Sequence, residues 1–128
     1  MRIKISKEND ELLYKLKTLY NFKNDGIVPR IAFSNSLLSG KIFDIENDII
    51  PSSDGKEFRD DKAIFGTVIG NGSNTIIFKS ILDQHYSRNT FDDEFIKLFK
   101  LHLNHGLEIW NSKIEKADIS KGDHIDIL

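Results

Sequence analysis

Cysteine is absent from this chain. Its absence excludes disulfides, thiolate metal sites, cysteine-ligated iron–sulfur clusters and persulfide chemistry together, and it fits a reducing compartment. Long apolar runs are missing too. No stretch approaches the roughly 20 apolar residues that a membrane-spanning helix requires. The opening Met1-Arg2-Ile3-Lys4-Ile5-Ser6 alternates charged and apolar residues and has no apolar core of a secretory signal. A cytoplasmic protein without membrane contact is expected. Proline occurs only at Pro29 and Pro51, the first suited to a helix start and the second to a turn.

What is present describes one ordinary globular domain. The chain has 128 residues, of which 39% are hydrophobic and 30% charged, enough to bury a core without covalent staples. Nine phenylalanines against three tyrosines and one tryptophan point to aromatic packing inside. The net charge of −2 argues, taken alone, against nucleic acid. Its distribution does not. Residues 1–43 hold eight basic side chains (Arg2, Lys4, Lys7, Lys15, Lys17, Lys23, Arg30 and Lys41) against four acidic ones, while the remainder has an acidic surplus of six. A basic segment on an acidic body marks a candidate anion-binding face.

Residues 2–6 alternate as a short strand with Ile3 and Ile5 on its inner face. Ser6 reads as the N-cap of a helix with Glu8, Asp10 and Glu11 in its first turn. Leu12, Leu13, Leu16, Leu19 and Tyr20 form that helix's apolar stripe, with Lys15 and Lys17 on opposite flanks. Asn21 to Gly26 is a turn. Pro29 opens a second helix through Leu38, which stops near Gly40. Residues 41–63 read as loop, with a turn at Pro51 to Gly55. Ala63 to Ile69 is apolar and is broken by Gly70-Asn71-Gly72-Ser73. A third helix, capped by Ser73 or Asn74, has Ile76, Ile77, Ile81, Leu82 and Tyr86 as its apolar set. Thr90 reads as the N-cap of a last long helix that buries Phe91, Phe95, Leu98, Phe99, His102, Leu103 and Leu107. After Trp110 the composition turns polar. The expected organisation is a helical domain over residues 1–110 and a tail over 111–128. The expected fold is mainly α, with a short N-terminal strand and a ribbon–helix–helix-like start. In that arrangement two strands pair across a dimer and their outward side chains meet DNA.

Catalytic motifs are weak. His102 and His105 lie three apart but lack a third ligand, so no metal site is expected. Gly70 to Ser73 lacks the lysine and spacing of a phosphate-binding loop. No serine sits in a nucleophile-elbow setting. Asp92, Asp93 and Glu94 suit a helix N-terminus. Asp60-Asp61 is the one pair left open as a magnesium site for a nicking enzyme.

Four strings carry a sharper signal: Met1-Arg-Ile-Lys-Ile-Ser-Lys-Glu-Asn-Asp-Glu11, Arg30-Ile-Ala-Phe-Ser-Asn-Ser-Leu-Leu38, Ser53-Asp-Gly-Lys-Glu-Phe58 and Phe99-Lys-Leu-His-Leu-Asn-His-Gly-Leu107. In this order they resemble the DndE family of DNA phosphorothioation proteins, over roughly residues 1–110. The resemblance implies a system that replaces a non-bridging phosphate oxygen of DNA with sulfur. In such systems a cysteine desulfurase, an iron–sulfur protein and an ATPase supply the chemistry. It further implies a tetrameric, mostly helical binder of double-stranded DNA that prefers nicked duplex. A chain without cysteine agrees with that division of labour.

The expected function is an accessory subunit with no catalytic residues, metal or cofactor. It would hold DNA through Arg2, Lys4, Lys7, Lys15, Lys17, Lys23 and Arg30 and assemble with the other sulfur-modification proteins as a homotetramer. Phe22, Phe33 and Phe43 are the apolar surplus expected at subunit contacts. The rival readings are a metal-dependent nicking enzyme and a regulator of a partner ATPase. Lys56 and Arg59 are left open between supporting their loop and touching DNA.

Overall fold

Apolar residues spaced three and four apart over the last third of the chain build the helix on which the other elements rest. The computed structural model describes residues 2–58, 61–66 and 74–117. It is mainly helical, in the order β1 (Ile3–Lys4), α1 (Lys7–Tyr20), α2 (Ile27–Leu38), β2 (Glu57–Phe58), α3 (Lys62–Phe65), α4 (Thr75–Tyr86) and α5 (Asp92–Lys116). Helix α5 buries Phe95, Leu98, Phe99, Leu103, Leu107, Trp110 and Ile114. It continues through residues 111–116, which the polar composition had assigned to the tail, because Ile114 extends the apolar face one turn further.

Helices α2 and α5 cross in close backbone contact. A Cβ on Gly106 would lie 1.8 Å from the Ala32 carbonyl oxygen, so no larger residue fits there. Phe33 of α2 meets Phe99 of α5 at 5.3 Å between ring centroids. Phe99 meets Phe65 of α3 at 5.1 Å, and Phe65 meets Phe78 of α4 at 4.8 Å. This chain of rings joins four helices, and aromatic pairs at such spacing add to area burial. Helix α1 adds Leu13 and Leu16, and the Trp110 indole N–H donates to the Tyr20 hydroxyl at 3.3 Å.

The N-terminal strand forms, but its partner lies in its own chain. β1 pairs antiparallel with β2, Ile3 opposite Phe58 and Lys4 opposite Glu57. The Ile5 N–H donates to the Lys56 carbonyl at 2.9 Å and the Gly55 N–H to the Ile5 carbonyl at 2.8 Å. A Cβ on Gly55 would lie 2.5 Å from the Ser6 carbonyl oxygen, so glycine lets the loop close on the strand. Residues 57–58 therefore form a strand where the sequence reads as loop. Two residues are too few to show a period of two. The likeness to ribbon–helix–helix proteins is one of element order, since β1 is already paired internally.

Three local expectations are corrected. In α4 the isoleucines Ile76, Ile77 and Ile81 are exposed, while Thr75 and Leu82 are buried and Phe78 and Tyr86 half-buried. The helix is rotated so that its aromatics, not its isoleucines, meet the core. Thr90 does not cap α5. Its N–H and hydroxyl both donate to Asp83 Oδ1, at 2.9 and 2.6 Å. The N-cap is Phe91, whose N–H donates to Glu94 Oε1 at 3.1 Å and whose ring is exposed. Ser6, by contrast, caps α1 as expected, accepting from the Asn9 N–H at 3.1 Å.

Candidate nucleic-acid interface

The seven expected DNA contacts occupy the ribbon, α1, the turn after it and α2. Lys4, Lys7 and Lys23 are exposed, and no carboxylate lies within ion-pair distance of them among the described residues. Arg2 reaches Glu57 across the ribbon at 4.0 Å, the first side chain largely and the second partly exposed. Solvent-exposed pairs of that kind constrain little. Arg30 is half-buried, with its guanidinium beside Gly66, where a Cβ would come within 2.8 Å of Nη1.

Lys15 and Lys17 diverge as their opposite flanks require. Lys15 Nζ donates to Asn111 Oδ1 on α5 at 2.6 Å, a neutral partner that leaves its charge uncompensated. Lys17 Nζ turns the other way and pairs with Asp25 at 2.7 Å. Lys56 Nζ reaches the same carboxylate at 2.7 Å and sits 5.0 Å from the Phe58 ring centroid. Hydrogen bonds from Lys17 and then Lys56 hold the Asp25 carboxyl below its usual range. Lys56 thus joins Lys17, a pairing that spacing alone does not signal. Arg59 lies outside the described residues.

Lys100 went unnoticed in the sequence. It is 6% exposed on α5, and its Nζ donates to Ser53 Oγ at 2.5 Å. Burial lowers its pKa, and among the described residues no carboxylate pairs with it. Its place between Phe99 and Leu101, on the core side of α5, was the available signal.

The expected apolar surplus is redistributed. Phe33 is a core residue at 1% exposure. Phe22 stacks on Tyr20 and Phe43 packs edge-on to His102. The exposed apolar side chains are instead Ile76, Ile77 and Ile81 on α4, with Tyr14 and Leu19 on α1 and Leu38, Ile42, Ile49 and Phe91 elsewhere.

The histidines form a buried polar network. Ser36 Oγ lies 2.6 Å from His102 Nδ1 and 2.8 Å from His105 Nδ1. His102 Nε2 is 2.7 Å from the Tyr86 hydroxyl, which accepts from the Phe43 N–H at 3.0 Å. Burial, with smaller effects from His85 and His105, depresses His102 to about 3, so it is neutral at pH 7. A serine between two imidazoles has the composition of a nucleophile and base, but Ser36 and His102 are both 0% exposed and no substrate can reach them. The network joins α2, α4 and α5.

Asp61 precedes α3 and accepts from the Thr75 hydroxyl at 2.5 Å. Its neighbour Asp60 and the turn Gly70 to Ser73 lie outside the described residues. Among the described residues no group of three or more His, Asp or Glu is placed to hold a metal ion. No described helix is long and apolar enough to cross a membrane.

The family model described as DNA sulphur modification protein DndE matches residues 2–118. A crystal structure of DndE from Escherichia coli B7A, involved in DNA phosphorothioation modification, superposes with a TM-score of 0.67 at 23% identity, covering 84% of this chain and 92% of that one. A double mutant of DndE involved in DNA phosphorothioation gives 0.62 at 22%, covering 84% and 94%. At such identity these structures speak to the fold. Among curated proteins none matches.

Proposed function

This chain belongs to the DndE family of DNA sulphur modification proteins, and from that premise we propose that it is a non-catalytic subunit that holds double-stranded DNA, intact or nicked, for the modification machinery. The carrying observation is the set Lys4, Lys7, Lys15 and Lys23: four cations in the N-terminal third whose ammonium groups have no carboxylate within ion-pair distance among the described residues. Unpaired ammonium groups bind phosphates and release counterions, which gives salt-dependent, sequence-independent affinity. Contacts of that kind recognise backbone and shape. The buried Ser36 supports a role without covalent chemistry.

The subunit assembles as a homotetramer in this reading. The exposed isoleucines of α4, flanked by the uncharged Ser80 and Gln84, supply a face that a second copy can cover without opposing like charges. The direct test is binding of purified protein to intact, nicked and single-stranded DNA of one sequence. Binding to duplex, tighter when nicked, is expected. No binding at low salt transfers the role to partner regulation.

A further inference from the structure

Asp25 stands where two cations from distant parts of the chain meet. Lys17, in the last turn of α1, and Lys56, beside β2, each place Nζ 2.7 Å from a different oxygen of its carboxylate. The backbone of each lysine is set by something other than Asp25. Lys17 is carried by a helix capped at both ends. Lys56 is held by its carbonyl, which accepts from the Ile5 N–H, and by the Phe58 ring beneath its ammonium. Two ammonium groups fixed against two oxygens of one anion also match two oxygens of a phosphate. The Asp25 side chain is 47% exposed, so it can swing out of the site. Asp10 borders the same opening but pairs with neither lysine.

We propose that Lys17 and Lys56 form one phosphate seat for DNA and that Asp25 is its internal occupant, a carboxylate that a backbone phosphate must displace. The proposal rests on the DNA-holding function. It makes Lys56 a DNA contact and Asp25 a brake on affinity. With Asp25 in place the three groups sum to a single positive charge; without it the seat offers two.

The test compares wild type with Asp25→Asn, and with the triple variant Asp25→Asn, Lys17→Gln, Lys56→Gln. Affinity for a short duplex is measured across a salt series, and melting temperature is measured with and without inorganic phosphate. Asp25→Asn is expected to bind duplex about fivefold tighter at low salt, with a log–log salt slope steeper by about one unit. Phosphate should raise its melting temperature more than that of wild type, and the triple variant should lose both gains. An Asp25→Asn protein that binds DNA no tighter than wild type and gains nothing from phosphate overturns the seat, while wild-type DNA binding leaves the holding function standing. A phosphate response without DNA binding by any of the three keeps the seat and removes the DNA-holding function.

Discussion

The carboxylate of Asp54 accepts a hydrogen bond from the backbone N–H of Lys7 at 2.9 Å, across 47 residues of sequence. Asp54 therefore caps α1 from outside, beside the local cap Ser6. The same contact, strengthened by the Ser52 hydroxyl at 2.8 Å, holds its carboxyl below the usual range. Replacing Asp54 with alanine removes one partner of the first turn, and melting temperature should fall. A group with a depressed folded pKa stabilises above its unfolded value, and that contribution is lost as pH falls through the folded one. The difference between wild type and Asp54→Ala should therefore be full at pH 7 and shrink below about pH 4. Equal melting temperatures at pH 7 would refute the cap.

Gly106→Ala should separate α2 from α5. The added carbon would fall 1.8 Å from the Ala32 carbonyl oxygen, and backbone cannot yield as a side-chain tip does. A loss of about 3 kcal/mol is expected, read by urea unfolding. An unchanged midpoint contradicts the crossing.

His102 makes stability pH-dependent. Its folded pKa is about 3 against an ordinary 6.5, so below pH 6.5 the unfolded chain takes up a proton that the folded one refuses. Stability from this residue is full above pH 6.5 and declines toward pH 3, by up to about 1.4 kcal/mol per pH unit. His102→Gln should flatten that decline while lowering stability at pH 7, because Ser36 and Tyr86 each lose one of their two partners. Denaturant midpoints between pH 7 and pH 5 check it; parallel curves for the two proteins would show that His102 is not held neutral.

Much of this architecture was legible beforehand. The Ile3/Ile5 alternation, the Ser6 cap and the 3.6-residue period of α5 follow from residues within one or two turns. The four family strings prove mostly architectural. Arg30–Leu38 and Phe99–Leu107 are the facing sides of one helix crossing, joined by Phe33 with Phe99 and by Ser36 with His102. Ser53–Phe58 supplies Asp54 to α1 and β2 to β1. What escaped depends on distant partners. The β2 strand exists because β1 is there to pair with it. Thr90 is drawn from its cap by Asp83. The isoleucines of α4 give way to Phe78, which finds the rings of Phe33 and Phe65. Among the seven expected DNA contacts, local pattern placed Lys15 and Lys17 on opposite flanks but could not show that one meets Asn111 and the other Asp25.

The α4 face should govern assembly. Ile77→Asp with Ile81→Asp puts charge on side chains that are 50% and 45% exposed, so the fold should survive. Sedimentation should show a tetramer for wild type and smaller species for the variant. A wild type that is monomeric at micromolar concentration, or a variant that remains tetrameric, places assembly elsewhere or removes it.

The salt dependence of DNA binding after charge removal tests the central claim most directly. Lys4, Lys7 and Lys23 changed to glutamine remove three cations without a salt bridge and without disturbing the core, and Lys97→Gln, exposed in the second turn of α5, serves as control. With duplex DNA between about 50 and 200 mM salt, the triple variant should bind more weakly at every sequence, and its log–log slope should flatten by two to three units. Lys97→Gln should leave affinity and slope as they are. Equal losses in both proteins, or an unchanged slope in the triple variant, would contradict an N-terminal face that holds DNA by its phosphates.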